Sequence, residues 1–203
     1  EQYVEQGIMT ARQRDVLLTA IATRRNILVV GGTGAGKTTL VNALIDTMMD
    51  TFPHLRMFIF EDTAEIQCRA DNCVQYHTTV DVTMAKLLRI SMRMRPDTIL
   101  VGEVRGPEAL DLLMAWNSGH EGGIATLHAN HARAGLSKLA LYISMNQDYP
   151  KPIEPLIAEA VQVVVHITRC AEGRRVGDIL EVQGYEHGLY ITRSLIEPKE
   201  HDQ

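Results

Sequence analysis

Short apolar runs fall at 27–30, 57–60, 98–101 and 124–127, with Thr98 and Thr126 their only hydroxyls. Runs of this length without polar alternation predict strands buried on both faces, as in a mainly parallel sheet. Between and around them the spacing turns helical. Thr10 and Gln13 have capping-box spacing, and Val16, Leu17, Ala20 and Ile21 recur behind them on one helical face. Residues 39–45 read as a second helix, and 83–94 as a third with Leu87, Leu88 and Met92 on its buried side, stopped by Pro96. A fourth runs over 108–116, with Pro107 in its first turn and Gly119 closing it, and a fifth over 133–145. Pro150, Pro152 and Pro155 mark a boundary.

Residues 74–78 read as a further strand. The β-branched stretch 161–168 and the segments 175–184 and 189–195, with a turn at 186–188, read as antiparallel strands that extend the core sheet. The expected fold class is therefore α/β, a central and mostly parallel sheet flanked by helices with antiparallel strands at its C-terminal side.

The first apolar run passes directly into Gly31-Gly32-Thr33-Gly34-Ala35-Gly36-Lys37-Thr38-Thr39. Glycine, four residues, then Gly-Lys-Thr is the phosphate-binding loop pattern. Gly31, Gly34 and Gly36 permit dihedrals that let successive N–H groups turn toward a phosphate. Lys37 supplies a compact charge for the β- and γ-phosphates, Thr38 a hydroxyl for Mg²⁺, and the following helix its positive end. Glu61, Asp62 and Glu65 follow the second run, at the carboxyl end of a strand, where one carboxylate can order a water or the metal.

Glu103 follows the third run and is the acid placed to activate water and to help hold the metal. The acid expected at that strand end is an aspartate. With Gly102 before a glutamate, metal ligation and water activation are divided differently, and Glu61 or Asp62 can share the work. Arg89, Arg93 and Arg105 are candidates for stabilising transition-state charge, including on a neighbouring subunit's nucleotide. The Asn-Lys-x-Asp signature of guanine recognition is absent, which favours ATP.

With 203 residues and 45% hydrophobic content, the chain can bury a core of one domain, and a net charge of −5 argues against a broad nucleic-acid surface. Cys68, Cys73 and Cys170 are odd in number and follow no secretion signal, so reduced, buried thiols in a cytosolic compartment are expected rather than a zinc site. No apolar run approaches the ~20 residues that span a bilayer. A start at Glu1 suggests a fragment.

Four stretches in order, GGTGAGKTTL, FEDTAEIQ, RMRPDTILVGEVRGPEA and GHEGGIATLHAN, resemble the secretion ATPases of type IV secretion, type II secretion and type IV pili. The wording of the second and third looks closest to conjugative-transfer members of the TrbB type. The resemblance implies a RecA-like core over residues 1–150, with 151–203 as a C-terminal extension of the same domain, and a family N-terminal domain that this chain lacks. It also implies ATP bound by residues 34–39 with Lys37 essential, Mg²⁺ held through Thr38, Glu103 as catalytic acid, Glu61 as acidic-box partner and His128 as the histidine-box residue. A homo-hexamer at the cytoplasmic face of the bacterial inner membrane is implied, working with membrane and cytoplasmic secretion components and without direct nucleic-acid binding. The expected function is that of a motor for conjugative type IV secretion. The alternatives are a pilus or type II secretion ATPase, or an ATP-dependent switch or scaffold with little turnover.

Overall fold

The computed structural model describes residues 1–196; the last residues assigned to the C-terminal extension, 197–203, lie outside the described residues. The chain opens with α1 (Gln2–Glu5), α2 (Ala11–Ala22), β1 (Ile27–Val30) and α3 (Lys37–Thr51). It continues through β2 (Met57–Glu61), β3 (Cys73–His77), α4 (Met84–Ser91), β4 (Thr98–Val101), α5 (Ala109–Trp116), β5 (Ile124–Leu127) and α6 (Ala132–Ile143). It ends with α7 (Glu154–Ala160), β6 (Val163–Cys170), β7 (Gly173–Glu186) and β8 (Leu189–Ser194).

The strands form one sheet in the order β3-β2-β4-β5-β1-β6-β7-β8. All contacts from β3 through β6 are parallel, and β7 and β8 are antiparallel. The expected α/β class, with antiparallel strands extending a parallel core, is the observed one. Strand alternation divides the core into two layers. Leu28, Val30, Phe58, Phe60, Ile99 and Val101 face α4 to α7, while Ile27, Val29, Met57, Ile59 and Leu100 face α2 and α3. Each of these residues is at most 1% exposed, which is why the four runs carry no polar alternation.

Local chemistry sets the helix boundaries. Thr10 and Gln13 form a full capping box on α2. The third predicted helix is shorter than 83–94: Thr83 caps it and it ends at Ser91. Pro107 precedes α5 instead of occupying its first turn; the Glu108 carboxylate accepts the Arg105 and Gly106 N–H groups there. The prolines read as a boundary lead into a short helix, α7, which carries Pro155 in its first turn, where a missing N–H breaks no helical bond. The cysteines are half-buried and free. Burial and the neighbouring Cys68 push the Cys73 thiol up to about 12, so it stays protonated, and among the described residues no group of metal-ligating side chains forms a metal site.

Candidate active site

Because β1, β2, β4 and β5 are parallel, the residues that follow each of them emerge at one edge of the sheet. The phosphate loop follows β1, Glu61 closes β2, Glu103 stands just beyond β4 and His128 just beyond β5. They line a cleft of about 250 Å³ together with Thr33, Thr38, Asp62, Glu65, Arg105 and Thr126.

The loop takes its shape from Gly34 and Gly36, whose φ values are 69° and 95°, a region side chains disfavour. Gly31 is needed for a different reason from the one its sequence position suggests: its φ is ordinary, but a Cβ there would collide with the Ile167 carbonyl. Lys37 begins α3 and is 8% exposed. Its ammonium donates to the Gly31 and Gly32 carbonyls at 3.1 and 3.0 Å and lies 3.1 Å from His128 Nδ1. Burial lowers the Lys37 pKa, against the attraction of Glu103. The Thr38 hydroxyl donates to Glu65 Oε2 at 3.0 Å.

The two catalytic-candidate glutamates are held differently. Glu61 is 3% exposed. Its Oε1 accepts the Glu65 and Ile66 N–H groups at 3.1 and 2.9 Å, which fixes the loop after β2. Its buried Oε2 has no hydrogen-bond partner and stands 3.8 Å from His77 Nε2. Glu103 Oε2 accepts from Arg105 Nε at 2.9 Å and Nη2 at 2.5 Å, while Oε1 meets His128 Nε2 at 2.5 Å. His128 stands between the two charges, its Nδ1 beside Lys37 and its Nε2 close to Glu103 Oε1, which is buried without a hydrogen-bond partner. A chain of contacts thus runs from carboxylate through imidazole to ammonium.

Arg105 also reaches Asp62 at 3.4 Å. Arg89 is engaged elsewhere, paired with Asp111 across α4 and α5 at 2.7 Å. Arg93 and Arg95 precede β4 and so stand at the opposite end of that strand from Glu103. Two site contacts escaped the sequence reading, Glu65 on Thr38 and the Thr126 hydroxyl on the Gly102 carbonyl at 2.6 Å. Thr126 had one visible signal, a hydroxyl inside an otherwise apolar buried run.

A parallel sheet whose strand ends join a phosphate loop, one buried and one partly buried acid and a histidine defines a RecA-like nucleotide-binding core. The chain belongs to the type II/IV secretion system protein family, which matches residues 3–198. It is 46% identical over 194 residues to a probable conjugal transfer protein TrbB of Sinorhizobium fredii, covering 96% of this chain and 59% of that protein. It therefore spans under two thirds of the length of that relative.

Among solved structures, it resembles the VirB11 ATPase of the Brucella suis type IV secretion system in complex with sulphate (TM-score 0.78, 33% identity, 83% of this chain and 52% of that one). It also resembles the pilus retraction motor PilT with bound ADP (TM-score 0.60, 25% identity, 81% and 49%).

Proposed function

We propose that the chain carries the ATP-hydrolysing core of a motor that energises conjugative type IV secretion, by substrate export, pilus assembly or both. The observation that carries this reading is Glu103, braced by Arg105 and His128 in the cleft that Lys37 and Thr38 enter. The loop amides and Lys37 bind the phosphates. Glu103 accepts the proton of the attacking water, His128 and Arg105 hold its orientation, and Arg105 opposes charge that grows on the transferred phosphoryl group.

Thr38, Glu65 and Glu61, which line the cleft, carry hard oxygen donors that fit Mg²⁺, and Glu61 Oε2 is buried without a hydrogen-bond partner. Among the described residues they form no self-sufficient metal site, and a bound nucleotide would supply the remaining ligands. Bound there, Mg²⁺ would neutralise phosphate charge. Thr38 would ligate it through an oxygen lone pair while its proton can stay directed at Glu65, and Glu61 or Glu103 would act through its water shell.

The proposed assembly is a homo-hexamer, peripheral at the inner face of the bacterial inner membrane and in contact with other secretion components. No helix among the described residues is long and apolar enough to cross a membrane. A nucleotide-dependent switch is the second reading, favoured by the Thr38–Glu65 contact, which joins the phosphate loop to the segment after β2 where a bound nucleotide and metal would act on both.

Steady-state phosphate release separates the two. Glu103→Gln should keep nucleotide binding and lose turnover by about 10²-fold or more; unchanged turnover would remove Glu103 from the chemistry. A wild-type chain that binds ATP and does not turn it over would favour the switch.

A further inference from the structure

The hairpin of β6 and β7 lies directly on the phosphate loop. The Ile167 carbonyl fills the place of a Cβ at Gly31, and a Cβ at Gly36 would stand 2.8 Å from Arg174 Cδ and 3.1 Å from its Nε. Strand alternation explains the approach. Arg174 shares a face with Val176, which is buried in the layer that holds Ala35, Leu40 and Val41.

Arg174 pairs in register with Arg169, so two cationic side chains occupy directly opposed positions on one face, an arrangement that repels. Both are exposed, and among the described residues neither guanidinium makes a hydrogen bond or an ion pair. Arg174 acts on the half-buried Tyr3 hydroxyl, whose pKa burial raises and this arginine lowers. The amino end of α3, itself partly positive, begins at Gly36. Cations that converge in this way, with no ion pair among the described residues, are stabilised when they serve an anion.

The sheet order says which part of the anion. From β1, the strands β5 and β4 lie on one side with His128 and Glu103, and β6 and β7 lie on the other. The bond-breaking end of a triphosphate faces the first side, so the second belongs to the nucleoside end. We propose that Arg174, with Arg169 beside it, binds the α-phosphate side of the nucleotide and sets affinity for nucleoside di- and triphosphates without entering the hydrolytic step. The inference rests on the phosphate-loop reading above.

The test is equilibrium binding of fluorescently labelled ADP and ATP to the full chain, with turnover measured in parallel. Arg174→Met keeps the length of the side chain and removes its charge. It should weaken both nucleotides alike by about tenfold, raise KM to match and leave kcat within about twofold. Arg174→Lys should recover most of the affinity, and the salt dependence of binding should be shallower in Arg174→Met than in the wild type.

Wild-type affinity in Arg174→Met, or a lysine variant no better than the methionine one, would overturn the proposal. So would a loss confined to ATP, because it would place the arginine at the γ-phosphate. Lys37→Ala keeps the two readings apart. A wild-type chain that binds no more tightly than Lys37→Ala ends the phosphate-loop reading and this one with it; a clear difference there, with Arg174→Met unaffected, ends this one alone.

Discussion

Gly102 lies between the two acids of the site and has no room for a side chain. A Cβ there would stand 2.8 Å from Glu61 Cγ and 3.2 Å from Oε1. Glu61 cannot yield easily, because it is buried and its Oε1 holds the Glu65 and Ile66 amides. The strand-end glycine is therefore a spacing device that lets one buried carboxylate pass beside the backbone of the other acid's strand. Gly102→Ala should displace Glu61, loosen the loop after β2 and lower stability by about 1–3 kcal/mol. Hydrolysis should fall by about tenfold or more, with nucleotide affinity within about threefold. Denaturant titration, turnover and binding read these separately, and equal losses of affinity and turnover would contradict the assignment. The atoms nearest a Cβ at Gly102 all belong to Glu61, so affinity is the quantity that should be spared.

At the scale of elements, Asn26 joins three of them before β1 begins. Its amide nitrogen donates to the Ala160 carbonyl at the end of α7, and its oxygen accepts the Gly123 N–H before β5, at 2.8 and 2.9 Å. Asn26→Ala leaves both backbone groups buried without a partner and should cost about 2–4 kcal/mol in urea unfolding. A cost below about 1 kcal/mol would mean that neighbouring groups replace it.

His166 on β6 supplies the pH-dependent counterpart. Burial depresses its pKa, His131 acts in the same direction, and Asp178 opposes them. The folded value lies below the unfolded 6.5, so stability is full above that pH and declines as pH falls through it toward the folded value. His166→Gln should flatten this part of the pH profile of the urea midpoint; an unchanged slope would place the dependence elsewhere.

These elements also show what the sequence could and could not convey. The four apolar runs, the capping box at Thr10 and the phosphate loop are local, so residue order alone located them. The helix α7 was hidden because Pro150 and Pro152 announce a break while Pro155 is compatible with a first turn. The bracing of Glu103 by His128 was not legible, because it exists only once β4 and β5 are neighbours. Arg174 is further still from local pattern, reaching Gly36 only through the folding of a hairpin.

Over the whole molecule, the segment after residue 150, expected as an extension of the same domain, enters the interior of the sheet. β6 lies between β1 and β7, paired to both. Val163, Val164 and Val165 are fully buried, and they sit in the two core layers with Ile27, Val29, Leu28 and Val30. α7 adds Ile157 to one of these layers, and Ile167 supports the phosphate loop from beneath.

Cutting the chain after residue 150 would expose one edge of β1 and uncover both layers at once. The burial of four or five large aliphatic side chains at about 1.5–3 kcal/mol each is comparable to the whole ~5–15 kcal/mol by which domains of this kind are stable. Residues 1–150 alone should therefore lack a cooperative transition. In the intact chain, far-UV circular dichroism and the fluorescence of Trp116, packed between α5 and β4 through its bond to the Ile99 carbonyl, should report one coincident urea midpoint. Two separated midpoints, or a folded 1–150 fragment that binds ADP, would show that the segment after residue 150 is an appendage. A single midpoint that moves with nucleotide would tie the stability of the hairpin to occupancy of the loop it supports.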